Sequence, residues 1–353
     1  MRAKQHEGQG DGAGDGASPG HSAHNVGPPS LEHVRRTMKV VIPGGTGQVG
    51  TILARAFHAK GHDVVVVGRT TRPSPWRTIN WDAKTIGTWA EELSGADAVI
   101  NLAGHTVNCR YTPRNRRLIM QSRVDTTRLV GTAIAGASPP PPVWLQASTA
   151  TIYAHSFDAN NDDLTGTLGG DEHDAPPTWR FSIEVATAWE RALNQAETLK
   201  TRKVLMRSAM IMSPDRGGIF DVFLRLVRFG LGGSVGGGRQ YMSWIHDQDF
   251  LHAVLWLIEH QNLEGPVNLA SPNPLPYSQF VRAIRQAWGI SFGLPATKWM
   301  LEIGAIPLQT ETELILKSRR VVPRRLLDSG FAFQFPLWTE AARDLTTRWR
   351  SAR

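Results

Sequence analysis

A single cysteine, Cys109, stands among 353 residues, so no disulfide framework can form. No Cys/His cluster has ligand spacing, and no metal is expected. No segment approaches the roughly 18 apolar residues of a membrane span. A secretory signal needs a continuous apolar stretch behind a basic start, and none is present. The chain therefore reads as soluble and cytoplasmic, with no membrane partner. No internal repeat is evident.

Residues 1–37 are rich in Gly, Ser, His and Pro and have no apolar periodicity, so they read as a disordered tail. The formal net charge is +8. The tail contributes none of it, because Arg2, Lys4, Arg35 and Arg36 cancel Glu7, Asp11, Asp15 and Glu32. Arginines gather between Arg110 and Arg128 and again from Lys317 to Arg325. Such runs are usually solvated faces, or they steer an anionic cofactor or substrate. Neither has the interleaved aromatics of a nucleic-acid surface, so no nucleic-acid partner is expected.

The most informative stretch is Met38-Lys-Val-Val-Ile-Pro-Gly-Gly-Thr-Gly-Gln-Val-Gly50, an apolar run joined to glycines at 44, 47 and 50. It reads as strand, phosphate turn and helix. The first glycine allows a tight turn, the second a close approach of backbone N–H groups to a pyrophosphate, and the third the packing of helix on strand. An amphipathic helix with Ile52, Leu53, Ala56 and Phe57 follows, then a second strand from His62 to Gly68. That context favours a dinucleotide site over an ordinary glycine-rich turn, and the lack of Gly-Lys-Ser/Thr argues against a P-loop. The second strand ends at Arg69, with Arg72 close behind, where an NAD site usually places an acidic residue for the ribose hydroxyls. An arginine there suits a 2′-phosphate, so NADP(H) is expected over NAD, although a strand-end arginine can also be merely solvated.

Further strands are expected at Thr78–Asp82, Asp97–Gly104, Val143–Ala147 and Lys203–Ser208, with long helices over Arg114–Ala137 and Trp179–Leu199. This alternation predicts an α/β, Rossmann-type doubly wound parallel sheet with a smaller C-terminal substrate-side lobe. The expected division is a tail at 1–37, an NAD(P)-binding domain with substrate-side insertions at 38–295, and a small C-terminal domain at 296–345. The polar region from His155 to Thr178 is either a mobile loop over the site or a surface insertion.

At this point the chain resembles the extended short-chain dehydrogenase/reductases. The resemblance rests on Gly44-Gly-Thr-Gly-Gln-Val-Gly50, Asn101-Leu-Ala-Gly104, Ala147-Ser-Thr-Ala-Thr-Ile-Tyr-Ala154 and Ser243-Trp-Ile-His-Asp-Gln-Asp249. Gln121-Ser-Arg-Val-Asp-Thr-Thr127, Gly236–His246 and Ser318–Phe331 are similar to an atypical, epimerase-like family with its own C-terminal domain. The resemblance implies that Gly44, Thr46, Gly47, Gln48, Val49 and Gly50 form the pyrophosphate loop and that Arg69 meets the 2′-phosphate. It places Trp81 and Asp82 at the adenine and Leu102, Ala103 and Gly104 at the ribose. Each has a plainer reading: Trp81 is simply buried, and Asn101 bonds the neighbouring backbone. A homodimer through the two long helices is also implied.

Reductases of this kind carry a Ser or Thr at the end of the fifth strand and then Tyr-x-x-x-Lys, the lysine lowering the tyrosine pKa for proton exchange with a carbonyl. Here Thr149 and Ser148 fill the hydroxyl role, but the tyrosine and lysine positions read as Phe181 and Val185. Tyr153 is a substitute hydroxyl, unless it packs with its oxygen satisfied. Ser243, Trp244 and His246 are assigned to the substrate side, where a His246–Asp249 hydrogen bond would be only structural. The expected function is an NADP-dependent oxidoreductase or epimerase-like enzyme acting on a small polar substrate. The alternative is a non-catalytic NADP(H)-binding sensor or scaffold protein.

Overall fold

Four consecutive valines, Val64 to Val67, can all be buried only in a strand covered on both faces, and all four are. The computed structural model describes residues 36–71, 73–170, 172, 177–295 and 317–352. The central strands are β1 (Lys39–Pro43), β2 (Asp63–Gly68), β3 (Arg77–Asn80), β4 (Ala98–Asn101), β5 (Val143–Thr149) and β6 (Arg202–Ser208). With β10 (Gly265–Leu269) they form a seven-stranded sheet in the order β10-β6-β5-β4-β1-β2-β3, and every pairing is parallel. Short strands β7 (Met210–Met212), β8 (Tyr241–Met242), β9 (Trp244–His246) and β11 (Leu275–Pro276) form two small pairs beside it.

Alternate residues of each central strand feed opposite layers. Val64 and Val66 join Leu53 and Phe57 of α1 (Gln48–Ala59) and Phe250 and Val254 of α5 (Asp247–Glu259). Val65 and Val67 join Val130 and Ile134 of α2 (Pro113–Gly136) and Leu193 of α3 (Pro177–Asn194). The strand order reverses between β1 and β4, and the crevice at the carboxyl ends of these strands is where open α/β sheets bind ligands.

Expected element ends shift for local reasons. β3 stops at Asn80 because Trp81 turns inward, its N–H bonded to Gly68 O at 2.8 Å. The helix expected to reach Leu199 stops at Asn194, and Leu199 is fully exposed. Between 155 and 170 the chain is tied down: Ala154 N–H donates to Thr167 O, and Asn161 N–H donates to Arg320 O at 2.7 Å. Residues 171 and 173–176 lie outside the described residues.

A second core unites α4 (Ile219–Arg228), α6 (Tyr277–Trp288) and the C-terminal helix Trp338–Ser351. The Trp338 ring stacks on Phe280 at 4.1 Å and its Nε1–H donates to Phe280 O at 2.8 Å. Trp338, Ala341, Leu345 and Trp349 fill the apolar faces of the other two helices. The described residues 317–352 thus pack within the compact unit Thr37–Arg353. The expected boundary at 296 and the expected tail at 1–37, except Arg36 and Thr37, lie outside the described residues. Among the described residues no helix is long and apolar enough to cross a membrane.

Candidate functional site

The loop after β1 is shaped by two backbone approaches. Gly44 has φ +76° and its N–H donates to Val67 O at 2.7 Å; a Cβ there would fall 2.4 Å from Ala103 N. A Cβ on Gly50 would fall 2.3 Å from Gly45 Cα, so the third glycine packs α1 against the loop rather than against β1. Gly47 is different. It is the N-cap of α1, with no side chain bonding the free N–H groups and no acidic residue in the first turn. Its missing Cβ would meet only Gly44 O, at 3.9 Å. The start of α1 is thus open to an anion.

This loop opens onto a cavity of about 600 Å³ lined by Gly44, Thr46, Gly47, Arg69, Trp81, Asp82, Leu102, Ala103 and Gly104. Of the expected cofactor residues, Gln48, Val49 and Gly50 do not line it. Val49 packs on the first core, and the Gln48 amide lies against Gly218. Residues the sequence reading missed also line the cavity, among them Ala83, Lys84, His105, Ser122 and Asp125.

Trp81 is buried against Trp89, ring centroids 4.8 Å apart, and its Nε1–H donates to Thr85 O at 2.7 Å. The Asp82 carboxylate accepts from Lys84 N–H at 2.8 Å, Thr85 N–H at 2.9 Å and the Thr85 hydroxyl at 2.9 Å. The Lys84 N–H, with that of Thr85, holds this carboxyl below its ordinary range. Asp82 therefore builds the turn that presents the cavity wall, including Ala83 at φ 60°. Its Asp-x-x-Thr spacing was a legible turn signal. Asn101 takes its plainer reading: Nδ2 donates to Gln146 Oε1 at 2.9 Å, and Oδ1 accepts from Ala103 N–H at 3.1 Å.

Arg69 is exposed at the rim and has no hydrogen-bond or ion-pair partner among the described residues. Arg72 lies outside them. Burial, then the positive charges of Arg69 and Arg123, push the His105 imidazole below its ordinary pKa. Arg69 and Lys84 bring positive charge to the cavity and Asp82 and Asp125 negative charge, and among the described residues no acid pairs with Arg69.

A second cavity of about 240 Å³ is lined by Ser148, Thr149 and Thr151 at the end of β5, Phe181 and Val185 of α3, and Arg123 of α2. Helix α2 walls both cavities: Ser122 and Asp125 line the larger, Ile119 and Arg123 the smaller. Phe181 and Val185 stand one turn apart and share this wall with Thr149, as the sequence spacing expects. The Thr149 hydroxyl donates to the Thr151 hydroxyl at 3.1 Å and accepts from Thr151 N–H at 3.1 Å.

Ser148 and Tyr153 instead enter a buried network. Ser148 Oγ donates to Glu190 Oε1 at 2.6 Å, and Glu190 takes a forked pair from Arg207 at 2.9 and 2.8 Å. Arg207 Nη1 donates to the Tyr153 oxygen at 3.0 Å, and that hydroxyl donates to Asn268 Oδ1 at 2.9 Å. Burial raises the Tyr153 pKa, and Tyr153 lines neither cavity.

Ser243, Trp244 and His246 also line neither cavity; they clasp the C-terminal segment. Ser243 Oγ donates to Arg319 O at 2.7 Å and accepts from Val321 N–H at 2.9 Å. Trp244 is fully buried beside Trp338, at 4.8 Å. His246 Nδ1 accepts from Gln248 N–H at 3.2 Å, which leaves the proton on Nε2 to donate to Asp344 at 2.9 Å. Asp344, not Asp249, is the partner: the Asp249 carboxylate accepts the Gln334 and Phe335 N–H groups. Burial lowers the His246 pKa, so its neutral form is favoured.

A glycine loop that opens a helix at the switch point of a doubly wound sheet, beside a β5 end carrying Ser and Thr, defines a dinucleotide-binding protein of the short-chain dehydrogenase/reductase kind. The chain belongs to the NAD dependent epimerase/dehydratase family, whose profile matches residues 40–270. Residues 296–345 match a second profile, described as a domain of unknown function (DUF1731). The epimerase family protein SDR39U1 of Bos taurus is 31% identical over 303 residues, 85% of this chain and 96% of the relative. The epimerase family protein SERP0438 of Staphylococcus epidermidis is 32% identical over 310 residues, 87% and 98% of the two chains. The crystal structure of human SDR39U1 (isoform2) with NADPH superposes with a TM-score of 0.76 at 28% identity, covering 88% of this chain and 99% of that one. UDP-N-acetylglucosamine 4-epimerase from Bacillus cereus, at 14% identity and a TM-score of 0.65, covers 89% of this chain and 100% of its own and shares the fold.

Proposed function

We propose that the chain holds NADP(H) in the larger cavity and acts as an oxidoreductase or epimerase-like enzyme on a small polar molecule in the smaller one. The observation that carries this is Arg69, a guanidinium without an acceptor among the described residues, at the rim of the cavity into which Gly47 opens. Lys84 lines the same cavity, so a 2′-phosphate would meet two cations. NADPH in the human relative's crystal structure supports the same reading. Gly47 and the start of α1 would take the pyrophosphate, the turn from Trp81 to Lys84 the adenine end, and Leu102 to Gly104 the ribose face.

The bound nicotinamide supplies a hydride. The chain's own residues must position the acceptor and balance the proton. We read Phe181 and Val185 as standing where Tyr and Lys act in other reductases of this fold, so neither can exchange a proton. Ser148 is held by Glu190, which leaves the linked Thr149–Thr151 hydroxyl pair, one hydrogen of which is spent between them, to donate a single hydrogen bond to the substrate oxygen. Phe181 and Val185 keep water from that wall.

The test is NADPH consumption across a panel of carbonyl compounds. Thr149→Val keeps shape and deletes the hydroxyl, so turnover is expected to fall by about 10²-fold while NADPH affinity holds. Full activity in the variant removes Thr149 from the mechanism. The apolar pair Phe181 and Val185 favours one second reading, a non-catalytic NADP(H)-binding sensor or scaffold. Tight NADPH binding with no turnover on any compound of the panel selects it.

A further inference from the structure

Among the described residues Arg123 is a cation without an acid. Its Nη1 donates to two carbonyls, His105 O at 3.0 Å and Ile119 O at 3.1 Å, which fixes the guanidinium plane. The group lies 5.0 Å over the Trp189 ring and lines the smaller cavity. Among the described residues it makes no ion pair, and Nε and Nη2 have no protein acceptor. Burial pulls its pKa down to about 10, and the opposing effects of Tyr111 and Cys109 are smaller. The group still carries its charge at neutral pH.

Buried guanidinium groups ordinarily face a carboxylate, because an uncompensated charge in a desolvated site is costly. The chain shows that arrangement elsewhere, where Glu190 meets Arg207 in a forked pair. At Arg123 the acid is missing on the side that faces the cavity, where the Thr149 and Thr151 hydroxyls also stand. A volume of about 240 Å³ suits a short molecule and is below the usual range for drug-sized ligands.

We propose that Arg123 determines the specificity of the smaller cavity by forming a forked pair with a carboxylate, and that the substrate class is a short carboxylic acid bearing a carbonyl. This rests on the reading of the two cavities proposed above. With NADPH as reductant, the hydride adds to the carbonyl carbon and a solvent-derived proton adds to its oxygen, giving the hydroxy acid and NADP. Arg123 orients the carboxylate, and Thr149 meets the oxygen being reduced.

The probes are oxamate and acetoacetate, each compared with its neutral methyl ester and titrated calorimetrically into the NADP-saturated protein. NADPH affinity is read separately from the fluorescence of the bound nucleotide. At least one acid is expected to bind about 30-fold more tightly than its ester. Arg123→Gln should lose that preference, Arg123→Lys should restore part of it, and both should keep NADPH affinity. Equal binding of acids and esters by the parent protein overturns the proposal, and that comparison stands even if Arg123→Gln does not fold. A loss of NADPH affinity in Arg123→Gln with acid binding unchanged also overturns it, by giving the guanidinium to the cofactor. Failure of the parent protein to bind NADPH at all would instead reject the underlying cofactor reading.

Discussion

Replacing Glu190 by alanine is expected to destabilise the folded chain by about 3–5 kcal/mol, because it leaves the Arg207 guanidinium buried without its counter-charge. Both side chains are about nine-tenths buried, and Glu190 is the acceptor for both the Arg207 fork and the Ser148 hydroxyl. The loss reaches further than one pair, since Arg207 also fixes Tyr153, which in turn holds Asn268. Asn268 N–H donates to Asp163 at 2.9 Å, and Asp163 also accepts the Arg325 N–H at 3.0 Å. Two carboxylates, Glu190 and Asp163, thus tie β5, α3, β6, β10 and the start of the helix Arg324–Asp328 together. Urea unfolding of the parent and of Glu190→Ala measures the effect. A change below about 1 kcal/mol would show that the network is not a structural tie of the size argued.

The second large effect is expected at Gly44. Alanine there must adopt φ +76° and place its methyl 2.4 Å from the Ala103 backbone nitrogen, so the loop has to move. Strain of this kind costs about 1–3 kcal/mol. Because the moving loop is the cavity wall, NADPH affinity is expected to fall by about 30-fold or more, the equivalent of roughly 2 kcal/mol. Gly47→Ala provides the contrast. Its methyl has room, with Gly44 O at 3.9 Å as the nearest contact, so stability should change by less than about 1 kcal/mol. Affinity should still drop, since the methyl occupies the approach to the start of α1. Calorimetric titration and thermal unfolding of both variants separate the two effects.

Much of the fold was legible because its signals are local. The valine run at 64–67, the glycine spacing at 44, 47 and 50, and the helical stripe through Phe181, Val185 and Trp189 each determine which neighbours a residue can touch. The same locality brought Thr149, Phe181 and Val185 to one wall. What escaped depends on partners distant in the chain. His246 reads as a titratable group near a candidate site, yet its partner Asp344 is 98 residues away and turns it into a clasp. Tyr153 offers a hydroxyl on paper, and Arg207 and Asn268 consume it. Arg123 was one arginine in a basic cluster; only the fold shows that His105 and Ile119 hold it and that no acid among the described residues answers it. Asp82 is the local counter-case: its Asp-x-x-Thr spacing already signals the turn that its carboxylate holds with Lys84 and Thr85.

NADP(H) occupies the larger cavity in the function proposed here, and Arg69 selects it over NAD(H). A side-by-side titration of NADPH and NADH into the parent protein and Arg69→Ala, followed by the fluorescence of the bound nucleotide, tests this most directly. The parent should bind NADPH at least about tenfold more tightly than NADH, from a charge-assisted contact worth about 1.5–3 kcal/mol, and Arg69→Ala should lose that margin while NADH affinity stays put. Equal affinities of the parent for the two nucleotides would contradict the assignment.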